Sequence, residues 1–190
     1  GNAHSAAVCE PHRPRSMKPA NAGFGGAAIT IEYWFKGTQL QSPIRIQSAG
    51  GYIVAGWGTE APAYIISTDG GTLEGLSAGT ESTIENGAWH HLAMTWQRNT
   101  TNGFNTYLDG MLVASRNSAD VNLPTFSGVI TYLGAYNGNA ELMTGQLDEV
   151  RIWNVARTGI QISENMCRAL NPDNETNLVA YYKFDHILGS

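Results

Sequence analysis

The stretch AWHHLAMTW, residues 88–96, sets two adjacent histidines between two tryptophans. Metal ligation, proton transfer and buried structural hydrogen bonding all use these residue types, so the backbone conformation of the run decides among them. Read as a strand, it places His90, Leu92, Met94 and Trp96 on one face and Trp89, His91, Ala93 and Thr95 on the other, because successive side chains of a strand point to opposite sides. Both faces can then be at least partly covered by a packed layer. His90 and His91 cannot aim at one ion or one substrate, which weakens an enzymatic reading.

The flanking sequence carries the same signal in both directions. ITIEYWFKG (29–37) alternates Ile29, Ile31, Tyr33 and Phe35 with Thr30, Glu32, Trp34 and Lys36, the period of a half-buried strand. PIRIQS, GYIVAGW, AYIISTDGG and LEGLSAG follow as short β-type runs of about five residues, the third ending in the turn sequence DGG. In FNTYLDGMLVAS, Asp109-Gly110 lies between two β-rich runs, the strongest short hairpin signal, since a type I′ turn needs positive φ at both central positions. GVITYLGAY (128–136), QLDEVRIWN (146–154) and LVAYYKFD (178–185) bring the expectation to ten to twelve strands. Only ARTGIQISENMCRAL (156–170) has room for a short helix. Many short strands without βαβ alternation predict an all-β fold, a two-sheet antiparallel β-sandwich.

With 42% hydrophobic residues, 190 residues suffice for one sizeable core, so a single domain over 1–190 is expected, with 1–26 an irregular N-terminal segment. Charged residues are 14% and the formal net charge is -5, which does not favour nucleic acid as a partner. The basic cluster Arg13 to Lys18 reads as a solvated terminal segment. No apolar run approaches the roughly 18 residues of a span, so no membrane insertion is expected. The N-terminus lacks a signal-peptide core, and the chain reads as one module trimmed or excised from something larger. Cys9 and Cys167 match no zinc spacing and suit one disulfide staple near the termini. The sequons at Asn99 (NTT) and Asn174 (NET) fit an extracellular or cell-surface location.

Five blocks in order resemble a known family. ITIEYWFKG is similar to its early strand, AWHHLAMTW to its Trp-His-His strand, TYLDGMLVAS to its Asp-Gly hairpin, GQLDEVRIWNVART to its Gly-x-Ile-Asp-Glu-Val-Arg-Ile-Tyr strand, and LVAYYKFD to its C-terminal strand. The family is the laminin G-like, concanavalin A-like lectin/glucanase jelly-roll group, in its pentraxin-like branch. The resemblance implies a jelly roll in which the Trp-His-His strand lies in the core and its histidines hydrogen-bond buried polar groups, since an unpaired buried imidazole costs about 1–3 kcal/mol. Pentraxin-like relatives hold calcium with acidic and amide residues after the strand that TYLGAYNG resembles. The corresponding Ala135, Tyr136 and Asn137 include no carboxylate, so the resemblance does not extend to that two-calcium site. One structural calcium is the only cofactor considered, with Asp69 and Asp185 as candidate ligands.

Hydrolases on this architecture need two carboxylates about 5–9.5 Å apart. The only close acidic pair within an expected strand is Asp148-Glu149, and adjacency is expected to send the two to opposite faces. Glu81 and Glu85 flank a loop, Glu141 stands alone, and no Gly-x-Ser-x-Gly elbow or phosphate loop is present. No catalytic residue is therefore expected. Sugar recognition combines aromatic faces with amides, and two loops have that mix: GWGTEAPAY (56–64), with Trp57 and Tyr64, and AYNGNAE (135–141), with Tyr136, Asn137 and Asn139. For Trp57 and Tyr64 a place in the sandwich core or over a sheet edge is the slightly favoured alternative. The expected function is a non-catalytic extracellular recognition module taking a glycan, the alternative being adhesion to an extracellular protein or an architectural role. If Cys9 and Cys167 are bonded, thiol titration of the unfolded, unreduced chain finds no free thiol, and the closed loop contributes about 3–5 kcal/mol in the chain-entropy account. Two titratable thiols would refute the pairing.

Overall fold

The computed structural model describes residues 26–48, 50–57, 63–68, 71–124, 130–136 and 141–184. Its strands are β1 (Ala28–Gln39), β2 (Ile44–Ser48), β3 (Gly51–Trp57), β4 (Ala63–Ser67), β5 (Leu73–Ser77), β6 (Trp89–Gln97), β7 (Phe104–Leu108), β8 (Met111–Arg116), β9 (Ile130–Leu133), β10 (Thr144–Trp153) and β11 (Leu178–Tyr182). They form two antiparallel sheets, a six-stranded one ordered β11-β10-β1-β6-β7-β8 and a five-stranded one ordered β5-β4-β3-β2-β9. The all-β sandwich read from the alternating runs is the fold.

Alternation decides which side chains meet between the sheets. From β1 come Ile29, Ile31, Tyr33 and Phe35 and from β6 Leu92, Met94 and Trp96; they pack with Ile44 and Ile46 of β2, Ile53 and Ala55 of β3, and Ile66 of β4 in one buried cluster. β1 is central because it pairs along its length with β6 and with β10. On one side the sandwich is closed by polar links: Trp96 Nε1 donates to Glu74 Oε2 at 3.4 Å, and Arg116 donates to the Gly75 carbonyl at 3.1 Å.

The expected helix is α2 (Gly159–Asn165), started by a reciprocal cap in which Thr158 N donates to Gln161 Oε1 and Gln161 N to Thr158 Oγ1. A second helical turn, α1 (Glu81–Ile84), was not expected from the sequence. It is held by burial of Ile84 in the main core, and four residues are too few to show a helical period.

The Asp109-Gly110 hairpin joins β7 to β8 with φ 51° and 78° at its two central residues, the positive pair that a type I′ turn requires. Asp109 also accepts from the His91 backbone N–H at 2.9 Å. A Cβ on Gly110 would lie 3.1 Å from Ser163 Cβ and 3.2 Å from Met166 Sδ, so the turn is packed against α2 as well as left-handed. Gly110→Val therefore destabilises the fold by about 1–3 kcal/mol, read from the midpoint of chemical denaturation; an unchanged midpoint would contradict this account of the turn.

Candidate functional site

The outer face of the six-stranded sheet is covered over much of its width by the chain between β10 and β11. Thr30 Oγ1 donates to the Val155 carbonyl at 2.7 Å, Trp34 Nε1 to the Met166 carbonyl at 2.9 Å, and Arg151 to the carbonyls of Asn165 at 2.9 Å and Arg168 at 2.6 Å. Beneath this strap lies Glu32, fully buried on β1. Its Oε1 accepts from Trp153 Nε1 at 2.8 Å, and its Oε2 is 3.5 Å from His91 Nε2. Burial alone would raise the carboxyl's pKa, but the His91 side chain and the charges of Arg151 and Arg157 outweigh it and hold Glu32 below the ordinary value of 4.5.

This answers the histidine question. His91 faces the buried carboxylate on the outer side, while His90 Nδ1 lies 2.9 Å from Asp109 Oδ2 and its Nε2 lies 3.2 Å from Asn86 Oδ1. Both rings are engaged in holding elements together. Among the described residues no group of three or more metal-ligating side chains converges.

The acidic pair Asp148-Glu149 departs from expectation. Between Glu32 and Trp34 of β1 the partner strand carries one extra residue, with Arg151 opposite Glu32 and Asp148 opposite Trp34. Glu149, at φ 49°, is the bulged residue. Alternation is broken there, so Asp148 shares the outer face with Trp34, and Glu149 reaches the same side, where it accepts from Arg151 at 2.5 Å and from the Tyr181 hydroxyl. Burial, with the Glu149 carboxylate beside it, pushes the Tyr181 phenol well up. Adjacency did not separate the two acids, and Glu149 is committed to structural partners.

The outer face of the five-stranded sheet is built differently. Arg45 and Gln47 of β2 lie on it, opposite Val54 and Tyr52 of β3, while Tyr132 of β9 stands across from Arg45. The Arg45 guanidinium lies 4.7 Å from the Tyr52 ring centroid and 4.0 Å from that of Tyr136. Its Nε donates to Gln47 Oε1 at 3.0 Å, and its NH1 is 3.5 Å from Glu141 Oε2. Ser42 donates to the same Glu141 oxygen. Tyr132 meets Tyr136 edge-on with centroids 5.7 Å apart. Aromatic faces, one cation, one carboxylate and an amide thus converge on a patch in which the Arg45 and Glu141 side chains are 12% and 27% exposed, a combination that offers stacking surfaces beside directional hydrogen-bonding groups.

Of the residues singled out from sequence, Tyr136 belongs to this patch. Trp57 ends β3, and the hydrogen bonds from Ser42 N to Gly56 O and from Gly134 N to Pro43 O join that end of the sheet to the turn before Tyr136. Tyr64 lies in β4, paired with Ala55 and Leu76 in the ladder. Asn137, Asn139, Asp69, Asp185 and Cys9 lie outside the described residues. Cys167 follows α2, and no described cysteine is free. Asn99 and Asn174 are both exposed, Asn99 in a turn at φ 46° and Asn174 at the end of a 3-10 turn. Sequence reasoning missed Arg45, Gln47, Tyr52, Tyr132 and Glu141 as a group. The available signal was alternation: Arg45 and Gln47 fall on one side of PIRIQS.

A family model described as the concanavalin A-like lectin/glucanases superfamily, of laminin G type, matches residues 15–163, and the chain belongs to that family. No curated protein sequence matches it. Among solved structures it is similar to a candidate carbohydrate-binding protein from Bacteroides ovatus ATCC 8483, with 22% identity and a TM-score of 0.62 over 86% of this chain and 47% of that one. It is also similar to the binding domain of botulinum neurotoxin serotype G, with 12% identity and a TM-score of 0.55 over 74% and 36% of the two chains. A third is botulinum neurotoxin type C, described with its interaction with two ganglioside molecules, at 13% identity and a TM-score of 0.53 over 76% and 37%. The chain spans under half the length of each of these structures, and likeness at such identities shows the fold.

The buried cluster has a pH signature. Because Glu32 is held below 4.5 in the folded chain, its contribution is fully present above the unfolded carboxylate value and is lost as pH falls through the folded one. Glu32→Gln removes that acid limb from the stability-versus-pH curve and, by leaving Arg157 without its carboxylate and Arg151 with Glu149 alone, costs about 3–5 kcal/mol at neutral pH. Equilibrium denaturation of both forms between pH 3 and 7 reads this; parallel acid limbs would rule out the assignment.

Proposed function

Because the chain belongs to the concanavalin A-like lectin/glucanase superfamily, we propose that it is a non-catalytic glycan-binding module whose contact surface is the outer face of the five-stranded sheet around Arg45, Tyr52 and Tyr136. The observation that carries this reading is the Arg45 guanidinium between two tyrosine rings, at 4.7 and 4.0 Å, with Glu141 at 3.5 Å. A sugar ring has an apolar face that stacks on aromatic groups and a rim of hydroxyls that needs fixed donors and acceptors. Here the donors and acceptors are already oriented by each other, so little side-chain freedom is lost on binding. The similarity to a candidate carbohydrate-binding protein and to a toxin described with gangliosides supports the same reading.

Asn137 and Asn139, within three residues of Tyr136 in the chain, are proposed to add amides to this surface, and Trp57 is its proposed aromatic neighbour at the end of β3. An extracellular or cell-surface location, use of the sequons at Asn99 and Asn174, the Cys9–Cys167 bond and a structural calcium held through Asp69 or Asp185 are parts of the same proposal. Non-catalysis is supported by the engagement of Glu32 and Glu149 in buried structural contacts. Adhesion to a protein is the competing reading, favoured by Met111, Leu112 and Val113, exposed together along the edge strand β8.

A glycan array probed with and without chelator tests the function, the wild type being compared with Tyr136→Ala and Arg45→Ala. Both substitutions are expected to weaken binding about tenfold or more, as loss of an interface anchor does, without moving the melting temperature by more than a few degrees. Chelation abolishes binding only if calcium orders the site. Array binding that survives both substitutions unchanged would exclude this surface, and absence of any glycan ligand would move the assignment to protein adhesion.

A further inference from the structure

A second surface on the other side of the sandwich has its own case. The strap leaves uncovered the end of the six-stranded sheet where β6 begins and β1 ends. There Lys36 stands opposite Trp89 on one side and Gln146 on the other, and in the next outer-facing row Trp34 stands opposite His91 and Asp148. Trp89 is 36% exposed, and Lys36 and Gln146 are exposed. Trp34 is half-buried, with its indole N–H held by the Met166 carbonyl at 2.9 Å and its ring 5.3 Å from that of His91. Trp34 and Trp89 are therefore diagonal neighbours on adjacent strands, a spacing of about 7–8 Å. They form a shelf of two indoles interleaved with an ammonium, an amide and a carboxylate.

We propose that this Trp34–Trp89 shelf is a second glycan-contact site, specific for uncharged sugars, and that the chain bridges two glycan chains held on opposite outer faces of the sandwich. The chemistry of the shelf selects the occupant. An apolar protein surface laid on it would strip water from the exposed Lys36 and Gln146 without replacing their hydrogen bonds, which is costly. A sugar covers the indoles with its apolar face while its hydroxyls pair with the exposed Lys36 and Gln146. Charges of both signs stand on the shelf, so it offers no net field to select a polyanion. The indole held at Met166 is fixed before any ligand arrives, which lowers the ordering cost.

Opposite placement supplies the bridging. Packed sheets lie about 10 Å apart, and the Arg45 surface and the shelf face away from each other across that double layer, so each takes its own glycan chain. The bridging step rests on the Arg45 surface being a glycan site; the shelf does not.

Affinity electrophoresis through gels containing soluble xylan, mixed-linkage β-glucan or galactomannan, with turbidity of the same polysaccharides in solution, tests the inference. The variants are Trp89→Ala, Trp89→Phe, Arg45→Ala and the pair Trp89→Ala with Arg45→Ala. With at least one polysaccharide, Trp89→Ala is expected to lower retardation about tenfold, whereas Trp89→Phe, which keeps an aromatic face, retains most of it. Each single alanine variant abolishes turbidity while keeping residual retardation, and the pair loses both. Trp89→Ala matching the wild type in retardation and turbidity overturns the shelf and leaves the Arg45 reading standing on its own variant. Trp89→Ala removing all retardation while Arg45→Ala removes none keeps the shelf and overturns both the bridging and the Arg45 surface. Retardation by none of the three polysaccharides overturns the shelf as a site for uncharged sugars.

Discussion

A carboxylate buried in the middle of a sheet sets the terms for this fold. Glu32 has no exposure on β1, and a charge so far from water is tolerated only when partners replace its hydration. Those partners are Trp153, His91, Arg151 and Arg157, from two neighbouring strands and the segment that leaves one of them. Arg151 in turn donates from its two terminal nitrogens to the carbonyls of Asn165 and Arg168. One buried charge thereby ties the return segment to the sheet through hydrogen bonds to backbone. Apolar contacts add to this: Ile162 of α2 packs against Ala93 and Tyr107, and Leu170 and Val155 pack with Trp153, Leu178 and Tyr181.

That arrangement decides where recognition is feasible. The strap closes the part of the outer face that holds Glu32 and Glu149, and a carboxylate locked between guanidiniums has no freedom to shuttle protons for a substrate. What stays accessible is the far end of the same face, with Trp89, and the outer face of the five-stranded sheet, with the Arg45 stack. On the second face the Arg45 and Glu141 side chains keep 12% and 27% of their surface exposed and pair with each other beside the tyrosine rings. The two outer faces therefore differ, one mostly covered by the strap and the other carrying the Arg45 stack.

The bulge at Glu149 shows how a single residue redirects chemistry. An extra residue in β10 moves a carboxylate onto the side where Arg151 and Tyr181 wait. Without it, Arg151 would lack one of its two nearby acids. The expectation that adjacent acids diverge is sound for a regular strand and fails where the pleat is interrupted.

Period-two alternation in ITIEYWFKG and AWHHLAMTW, together with the Asp109-Gly110 pair, was enough to read the strands, the core residues and the hairpin from sequence, because those properties follow from local geometry that each segment carries alone. Tyr136 could be named as a candidate for the same reason, an aromatic beside amides in a loop. Arg45, Tyr52 and Glu141 could not be joined to it, since they come from different strands and meet only once β2 pairs with β3 and β9 in one particular register. The single turn α1 and the bulge at Glu149 were equally out of reach, being imposed by burial of Ile84 and by the pairing of β1 with β10. Sequence by itself determined the elements and which faces are apolar; tertiary structure decided which charges pair and which rings share a surface, because cross-strand neighbours are set by register and a local pattern contains no information about its partner.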